Sequence, residues 1–260
     1  MILIKLGGSV ITDKTQYRMF DRECASRLCR ELADSGKRAV IVHGVGSFGH
    51  VVAKAHSLQD GFSGLPGQAF AAATVQHDVR DLNSMVVKEL LSAGVLAFPV
   101  PPGSCFMMDG GVLDVKDAEV LTSAFRLGMT PVLFGDVVLD RRKGFGICSG
   151  DQIMEALCDV FDPEKVVFVS DIDGLYDMDP KKHAAAKLIE EVTAESLERV
   201  DSKMSVDDVT GGVRGKMEAM LRISTPEREC VLVNGAVPGR LRSLLKGERV
   251  ISTTATGGTG

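Results

Sequence analysis

The chain has 260 residues, 28 of them glycine, and no tryptophan. Hydrophobic residues make up 45 % and charged residues 25 %, with 30 basic against 35 acidic side chains and a net charge of -5. That apolar share excludes a disordered chain, the irregular glycines exclude a fibrous repeat, and the acidic balance argues against a nucleic-acid partner, which needs a basic stripe. The length suits one large domain or two closely joined lobes. No apolar run is long enough to span a membrane, and MILIKLGGSV has no basic residue ahead of its apolar run, so a cytoplasmic protein with no membrane partner is expected. Cysteines 24, 29, 105, 148, 158 and 230 form no C-x-x-C pair and read as free, buried thiols of a reducing compartment.

In chain order, the apolar run 2–6 predicts a strand ending at paired glycines. Residues 21–35 place Cys24, Leu28 and Leu32 on one helical stripe, and Gly36 closes that helix in the left-handed conformation. A strand at 39–43 leads into a glycine-rich turn that opens another helix. Residues 68–92 form a long helix with Ala72, Val75, Val79, Leu82, Val86 and Leu90 on one side, closed by Gly94, before a strand at 96–100. A hairpin is expected over 105–115 around Asp109-Gly110-Gly111. A helix over 117–127, with Val120, Leu121, Ala124 and Phe125 inward, ends at Gly128 and precedes a strand at 131–134. A second hairpin spans 137–147 with its turn at 140–144, and a helix follows over 151–161. A strand at 165–169, a loop at 170–182, helices near 184–199 and 214–223, and strands at 230–233 and 249–251 complete the pattern. The glycine-rich end of ISTTATGGTG is expected to fray. Strands alternating with helices imply an α/β domain with a largely parallel sheet, in which residues 1–165 and 166–260 are two lobes on one sheet.

Five stretches carry chemistry. Lys5-Leu6-Gly7-Gly8-Ser9 follows the first strand, where adjacent glycines expose backbone N–H groups to an anion. It is not a P-loop, since G-x-x-x-x-G-K-[ST] is absent. His43-Gly44-Val45-Gly46-Ser47-Phe48-Gly49-His50 has the spacing G-x-G-x-x-G. It follows the second strand, though, and no acidic residue closes a strand about 20 residues on, so a glycine nest binding one phosphate fits better than a dinucleotide site. In Ser149-Gly150-Asp151, either Ser149 or Asp151 caps a helix. Ser170-Asp171-Ile172-Asp173-Gly174-Leu175-Tyr176-Asp177 lacks EF-hand spacing and reads as a nucleotide-recognition loop or a solvated turn. Asp208 to Lys216 again brings glycines next to a lysine. Lys5, Lys14, Lys203 and Lys216 are then candidates for one cationic cluster at the carboxyl ends of the strands. The surplus glycine is expected to serve mainly close approach of backbone to phosphate. Together these features suit phosphoryl transfer from a nucleotide to a small phosphorylated or carboxylated acceptor.

KLGGS at 5–9, HGVGSFGH at 43–50, SGD at 149–151, SDIDGLY at 170–176 and DVTGGVRGK at 208–216 resemble the amino acid kinase superfamily along the whole chain. HGVGSFGH, with its histidine, is most similar to the archaeal-type isopentenyl phosphate kinase branch. The resemblance implies a three-layer α/β/α sandwich around a largely parallel twisted sheet, an acceptor lobe (1–165) and a nucleotide lobe (166–260), and a homodimer. It implies ATP-dependent, in-line phosphorylation of isopentenyl phosphate. Lys5, Lys14 and Lys216 would neutralise the moving phosphoryl group, Asp151 would orient the lysines, and His50 would hold the acceptor phosphate from the first turn of its helix. Gly7, Gly8, Ser9, Ser170, Asp171, Gly174, Tyr176, Asp177, Lys203, Gly211, Gly212 and Lys216 would line the nucleotide side. Gly44, Val45, Gly46, Gly49, His50, Gly150 and Ile147 would line the acceptor side. Mg²⁺ would be held mainly by nucleotide phosphates, with no protein metal cage.

An isoprenoid tail needs an apolar slot, for which Phe70, Ala73, Val75, Val79, Ile147 and Met154 are candidates; a carboxylate acceptor would instead need Arg80 or Asn83. Val45 stands where a third glycine is expected and must either adopt ordinary extended backbone or mark a changed loop. The alternatives are a kinase of the same fold acting on another phosphate, a fosfomycin-like phosphonate or a carboxylate, and a non-catalytic nucleotide sensor.

Overall fold

A computed structural model describes residues 1–13, 15–178, 183, 185–201 and 211–257. The chain runs through β1 (Ile2–Leu6), the single turn α1 (Gly8–Ile11), α2 (Arg22–Ser35), β2 (Ala39–His43), α3 (Gly46–Ala55) and the long α4 (Gln68–Ser92). Next come β3 (Ala97–Pro99), α5 (Pro102–Cys105), β4 (Met107–Asp109), β5 (Val112–Asp114), α6 (Glu119–Arg126) and β6 (Thr130–Phe134). They are followed by β7 (Asp136–Asp140), β8 (Gly144–Cys148), α7 (Gly150–Phe161) and β9 (Lys165–Ser170). The rest comprises β10 (Leu175–Tyr176), β11 (Leu188–Ile189), β12 (Glu191–Val192), α8 (Ala194–Asp201), α9 (Gly211–Ile223), β13 (Glu229–Asn234), α10 (Arg240–Leu245) and β14 (Ser252–Ala255). Among the described residues no helix is long and apolar enough to cross a membrane.

An eight-stranded sheet has the order β12-β14-β13-β9-β1-β2-β6-β3 and is parallel except where β14 meets β13. Alternate side chains of its strands feed opposite layers. Leu3, Val40, Val42, Leu133, Val166 and Phe168 pack with Leu121, Ile153, Leu157, Met217 and Met220 of α6, α7 and α9. Ile4, Ile41, Val132, Val167 and Val231 pack with Leu28, Leu32, Leu82, Val86 and Leu244 of α2, α4 and α10. Every residue of β1 is buried because helices cover both faces, which explains why Ile2, Leu3, Ile4 and Leu6 are all apolar, with Lys5 the one charged residue of the strand. This is the expected three-layer α/β/α sandwich with a largely parallel central sheet.

Gly36, Gly94 and Gly128 have φ of +64°, +84° and +84°, as expected for residues closing α2, α4 and α6. Four details differ from the sequence reading. The last strand is Ser252–Ala255, not 249–251: Thr253 and Ala255 are buried by alternation, while Ile251 is exposed, and the chain is docked as far as Gly257, against Ser224 and Leu221. The region read as one helix near 184–199 holds β11 and β12 before α8. Val120, placed on the apolar stripe of its helix, is exposed. Of the cysteines, all free, Cys105 is exposed and Cys24 half-buried.

The two hairpins do not extend the main sheet. They form their own, in the order β5-β4-β7-β8, organised by one carboxylate. Asp140 accepts N–H bonds from Gly110 (3.1 Å), Gly111 (2.7 Å), Arg142 (2.8 Å) and Lys143 (2.8 Å), fastening both turns at once. Burial alone would raise its pKa, but these four donors outweigh burial and hold it at about 2. A carboxyl depressed below its unfolded value stabilises fully above that value, and the contribution fades as pH falls through the folded pKa. Asp140→Asn is therefore expected to lower the urea midpoint at neutral pH, with the gap to the parent protein closing as pH drops from about 4 toward about 2. A gap indifferent to pH would show that the charge is not what these turns use.

Candidate functional site

The carboxyl ends of β13, β9, β1, β2 and β6 lie side by side along one edge of the sheet. At four of them the next residue is glycine, and its N–H bonds to a neighbouring strand: Gly7 to Val169 O (2.8 Å), Gly44 to Leu6 O (2.9 Å), Gly135 to His43 O (3.1 Å) and Gly235 to Ser170 O (2.7 Å). The reason for glycine is visible in what a Cβ would meet. At Gly44 it would lie 2.5 Å from the Gly8 nitrogen, and at Gly8 it would overlap Gly46 backbone. The turns after β1 and β2 thus pack backbone against backbone.

Other glycines make room for side chains of the same chain. A Cβ on Gly150 would come within 2.8 Å of Lys5 Cε, and one on Gly49 within 2.8 Å of the Val45 side chain. Gly46 gives way to Thr12, whose hydroxyl accepts from Ser47 N (3.1 Å) and donates to Gly8 O (2.7 Å). Gly174 gives way to Thr253, whose Oγ1 accepts from Leu175 N at 2.9 Å. The expectation that the surplus glycine serves mainly phosphate approach is thereby corrected: much of it serves contacts within the chain. Val45 is neither extended nor strained. It is helical (φ -78°, ψ -21°) and caps α3, while the positive φ of +48° falls on Gly46.

Around this frame stand the charged groups. Lys5, nearly buried, places Nζ 2.5 Å from Asp151 Oδ1 and 5.7 Å from the Phe168 ring centroid. Asp151 lies in the first turn of α7, which is capped by Ser149, reciprocally with Gln152, rather than by Asp151. Lys216 in α9 donates from Nζ to Ser170 Oγ at 2.9 Å, and Ser9 Oγ donates to Asp171 Oδ1 at 2.6 Å. Lys5 with Asp151, and Lys216 with Ser170 and Asp171, are therefore brought to one edge of the sheet. Lys14 and Lys203 lie outside the described residues. Gly211 and Gly212 open α9. His50, exposed, is the fifth residue of α3, so it stands one position beyond the first turn in which it was expected.

In the loop after β9, Tyr176 hydroxyl meets Asp173 Oδ2 at 3.5 Å, and burial raises the tyrosine's pKa. Asp177 accepts from Lys187 N at 2.7 Å, a bond inside the β10–β11 hairpin. Asp173, left out of the candidate residues, is the hub: it accepts from Asn234 Nδ2 (3.0 Å) and pairs with Arg240. Burial opposes its ionisation, but these donors outweigh it and lower its pKa.

Of the residues expected to line an acceptor, Val45 and Ile147 join a small apolar cluster with Val75, Val79, Phe134, Val137 and Phe145. Of the slot candidates, Val75, Val79 and Ile147 belong to it. Met154 packs in the opposite layer of the core, and Phe70 and Ala73 are exposed. Arg80 bonds Asp136 (3.3 Å), Gln76 O and Ser104, and Asn83 bonds His43 (3.2 Å). Ser47 was also missed. Its hydroxyl, in the first turn of α3, is buried without a hydrogen-bond partner among the described residues, as expected where a ligand or water completes it.

Two other features lie apart from this edge. His77, Asp78 and Asp81 are grouped closely enough for a metal, but Arg18 pairs with both aspartates and Tyr17 donates to Asp78, so the group already holds a cation of the chain. A cavity of about 620 Å³ lies near the start of β9 and β13, at the other end of those strands, where Lys165–Glu229 (2.8 Å) and Arg249–Glu190 (3.2 Å) pair their charges internally.

The profile of the Amino acid kinase family matches residues 1–234. The chain belongs to the amino acid kinase family. It is 36 % identical to an isopentenyl phosphate kinase of Methanothermobacter thermautotrophicus, over 99 % of each chain. It is 32 % identical to one of Thermoplasma acidophilum, over 95 % of this chain and 96 % of that one. An X-ray structure of an isopentenyl phosphate kinase superposes with a TM-score of 0.86 at 34 % identity, covering 98 % of this chain and all of that one.

In this amino acid kinase the missed residues had faint signals. Gly135 and Gly235 each end an apolar run, as Gly7 and Gly44 do, but without a flanking lysine or histidine to draw attention. The paired turns generate a test. Gly44→Ala and Gly46→Ala are expected to lower the melting temperature by several degrees, reflecting overpacking of about 1–3 kcal/mol or more, and to abolish nucleotide-dependent activity. Gly94→Ala, with open space around its Cβ, should cost only about 1–2 kcal/mol of left-handed strain and keep activity. Calorimetry of the three variants beside the parent separates the two effects; equal losses would remove the argument for backbone packing.

Proposed function

We propose that this amino acid kinase transfers the γ-phosphoryl group of ATP to isopentenyl phosphate, giving isopentenyl diphosphate and ADP. The observation that carries the reading is the turn at Gly44, Val45 and Gly46: it opens α3, buries the unpartnered Ser47 hydroxyl, and leads to His50 one turn on. A helix N-terminus with a spare hydroxyl and a histidine suits a phosphate dianion. The apolar cluster of Val45, Val75, Val79 and Ile147 adjoins that turn and suits a short branched hydrocarbon. A carboxylate acceptor is disfavoured because Arg80 and Asn83 are both engaged by the protein.

The chemistry asks little of the protein beyond placement and charge. At neutral pH a phosphate monoester is largely dianionic, its second pKa being about 6, so its oxygen attacks without a general base. The new bond joins that oxygen to the γ phosphorus, and the bond from γ phosphorus to the bridging oxygen breaks, leaving ADP. Lys5, Lys14 and Lys216 neutralise charge on the moving group, and Asp151 keeps the Lys5 ammonium in register. Gly7, Gly8 and Ser9 offer backbone N–H groups to the nucleotide phosphates. Ser170, Asp171, Gly174, Tyr176, Asp177, Lys203, Gly211 and Gly212 line the nucleotide, with Asp173 bracing that loop. Gly44, Gly46, Gly49, Gly150 and His50 hold the acceptor phosphate. When bound, Mg²⁺ held mainly by the nucleotide phosphates would supply further charge neutralisation, and the lysines and backbone donors at this edge suit such an anionic complex. Residues 1–165 then serve chiefly the acceptor and 166–260 the nucleotide. The free, mostly buried thiols fit the reducing cytoplasm. We place the chain in a homodimer, for which exposed Leu91, Leu96 and Phe98 beside the edge strand β3 offer an apolar face; light scattering should return the mass of two chains.

A coupled ADP-release assay across isopentenyl phosphate, dimethylallyl phosphate, fosfomycin, UMP and N-acetylglutamate tests the substrate. Turnover is expected with isopentenyl phosphate, and its absence with both isoprenoid phosphates would sink the reading. His50→Ala should lower kcat/KM for the acceptor about 100-fold, the scale for losing one donor to a charged reacting group, with ATP affinity nearly unchanged. An equal loss of ATP affinity would put the histidine on the nucleotide side.

A further inference from the structure

His43 takes no part in the mechanism above, yet it is the most unusual residue of the sheet. It ends β2, a strand whose other residues, Ala39, Val40, Ile41 and Val42, are all apolar, and it is fully buried. Nothing in the packing of a parallel strand asks for an imidazole there, and burying one requires that its polar atoms be satisfied. They are. Nδ1 lies 3.0 Å from the carbonyl oxygen of Gly44, Nε2 lies 3.2 Å from Asn83 Oδ1, and the ring stacks on Phe134 at 5.3 Å with planes 20° apart.

Proton counting fixes the roles. Burial lowers the His43 pKa to about 4, against the opposing pull of its two hydrogen bonds, so the ring is neutral at pH 7 with a single N–H. The Gly44 carbonyl can only accept, so that proton sits on Nδ1, and Nε2 must receive a donor. Asn83 can supply one from its NH₂ by a half-turn of its amide. α4 thereby selects the tautomer, and the tautomer holds a carbonyl of the glycine turn that opens α3. Asn83 follows Val79 by one helical turn and Val75 by two, so the helix that supplies the apolar wall also pins the phosphate turn.

We propose that His43 is a positioning residue for the acceptor: bridging Asn83 and the Gly44 carbonyl, it sets the distance between the apolar wall of α4 and the turn that holds the acceptor phosphate. This rests on the function proposed above. The imidazole acts through Gly44 and touches no reacting atom.

The test compares His43→Leu, His43→Asn and Asn83→Leu with the parent enzyme. It reads steady-state KM for isopentenyl phosphate and for ATP, melting temperature, and amide hydrogen exchange over residues 44–50. His43→Leu fills the volume but loses both bonds. It should raise the acceptor KM about tenfold or more, the scale of one lost buried hydrogen bond, and speed exchange over 44–50, with the ATP KM within about twofold. His43→Asn keeps a donor near the Nδ1 position and should recover most of the acceptor KM. Asn83→Leu, which leaves the histidine in place, should show the same selectivity in smaller measure and serves if His43→Leu fails to fold. An unchanged acceptor KM, a parallel rise in both KM values, or no rescue by asparagine would overturn the proposal. If the parent does not use isopentenyl phosphate at all, the functional reading fails. Exchange over 44–50 then still decides whether His43 holds the turn.

Discussion

The contact between the turns after β1 and β2 is the constraint on which the site depends. Gly7 and Gly8 meet Gly44 and Gly46 with no side chain between them, and Thr12 ties both turns by accepting from Ser47 and donating to Gly8. A backbone–backbone contact has no rotamers through which to relax, so the relative placement of the two turns is set as firmly as the strand spacing itself. In the proposed mechanism one turn serves the nucleotide and the other the acceptor. The separation of the two phosphates is then inherited from the sheet rather than from flexible side chains, which is the arrangement that in-line transfer rewards.

Ionic and polar clamps extend this rigidity outward. The loop between α1 and α2 is closed by the Thr12–Phe20 bridge and by Asp13 N donating to Met19 O (3.0 Å). It is held to α4 by Tyr17 and Arg18 on Asp78 and Asp81, and Arg18 also lies 5.7 Å from the Phe48 ring of α3. Asp78 is buried, so removing its cation would leave a charge without compensation. Between α2 and α10, buried Glu31 accepts from Gly239 N (2.8 Å), Arg242 N (3.1 Å) and Arg27 (2.8 Å), fixing the start of α10. Thr253 ties the β10–β11 hairpin to the last strand, accepting from Leu175 N and donating to Ile189 O at 2.7 Å. In each case one buried group satisfies backbone donors or charges from two elements far apart in sequence.

That pattern explains what the sequence did and did not reveal. Strands β1, β2, β6 and β9, the apolar stripe of α4 and the helix-closing Gly36, Gly94 and Gly128 follow from local spacing and are where the pattern puts them, whereas the last strand starts three residues beyond its expected place. The glycine turns and the lysines near them suggest phosphate chemistry in the sequence because glycine and charge sit together within a few residues. His43 with Asn83, Gly174 with Thr253, and Asp140 with Gly110 and Gly111 were not, because each is a pairing across 29 to 79 positions with no periodic trace. Val45 was misread for a related reason. The sequence leaves Val45 either extended or marking a changed loop, and only the folded turn shows that the positive φ falls on Gly46, where Thr12 fills the space a Cβ would take.

The division between rigid backbone and variable side chains has a consequence for specificity. The turns are fixed by glycine contacts that leave no room for a Cβ, whereas the wall proposed for the acceptor, Val45, Val75, Val79 and Ile147, is made of ordinary apolar side chains that can exchange for one another at modest cost. On that proposal, changing the wall would alter which tail fits without moving the phosphates apart. Changing Asn83 would release His43 Nε2 and leave a buried ring nitrogen unpaired, and changing Arg80 would take the cation from buried Asp136, which keeps the Gly103 and Val137 N–H donors. Under the proposed function, tail preference would then depend on the volume of that wall, and discrimination against a carboxylate on the hydrogen bonds that engage Arg80 and Asn83.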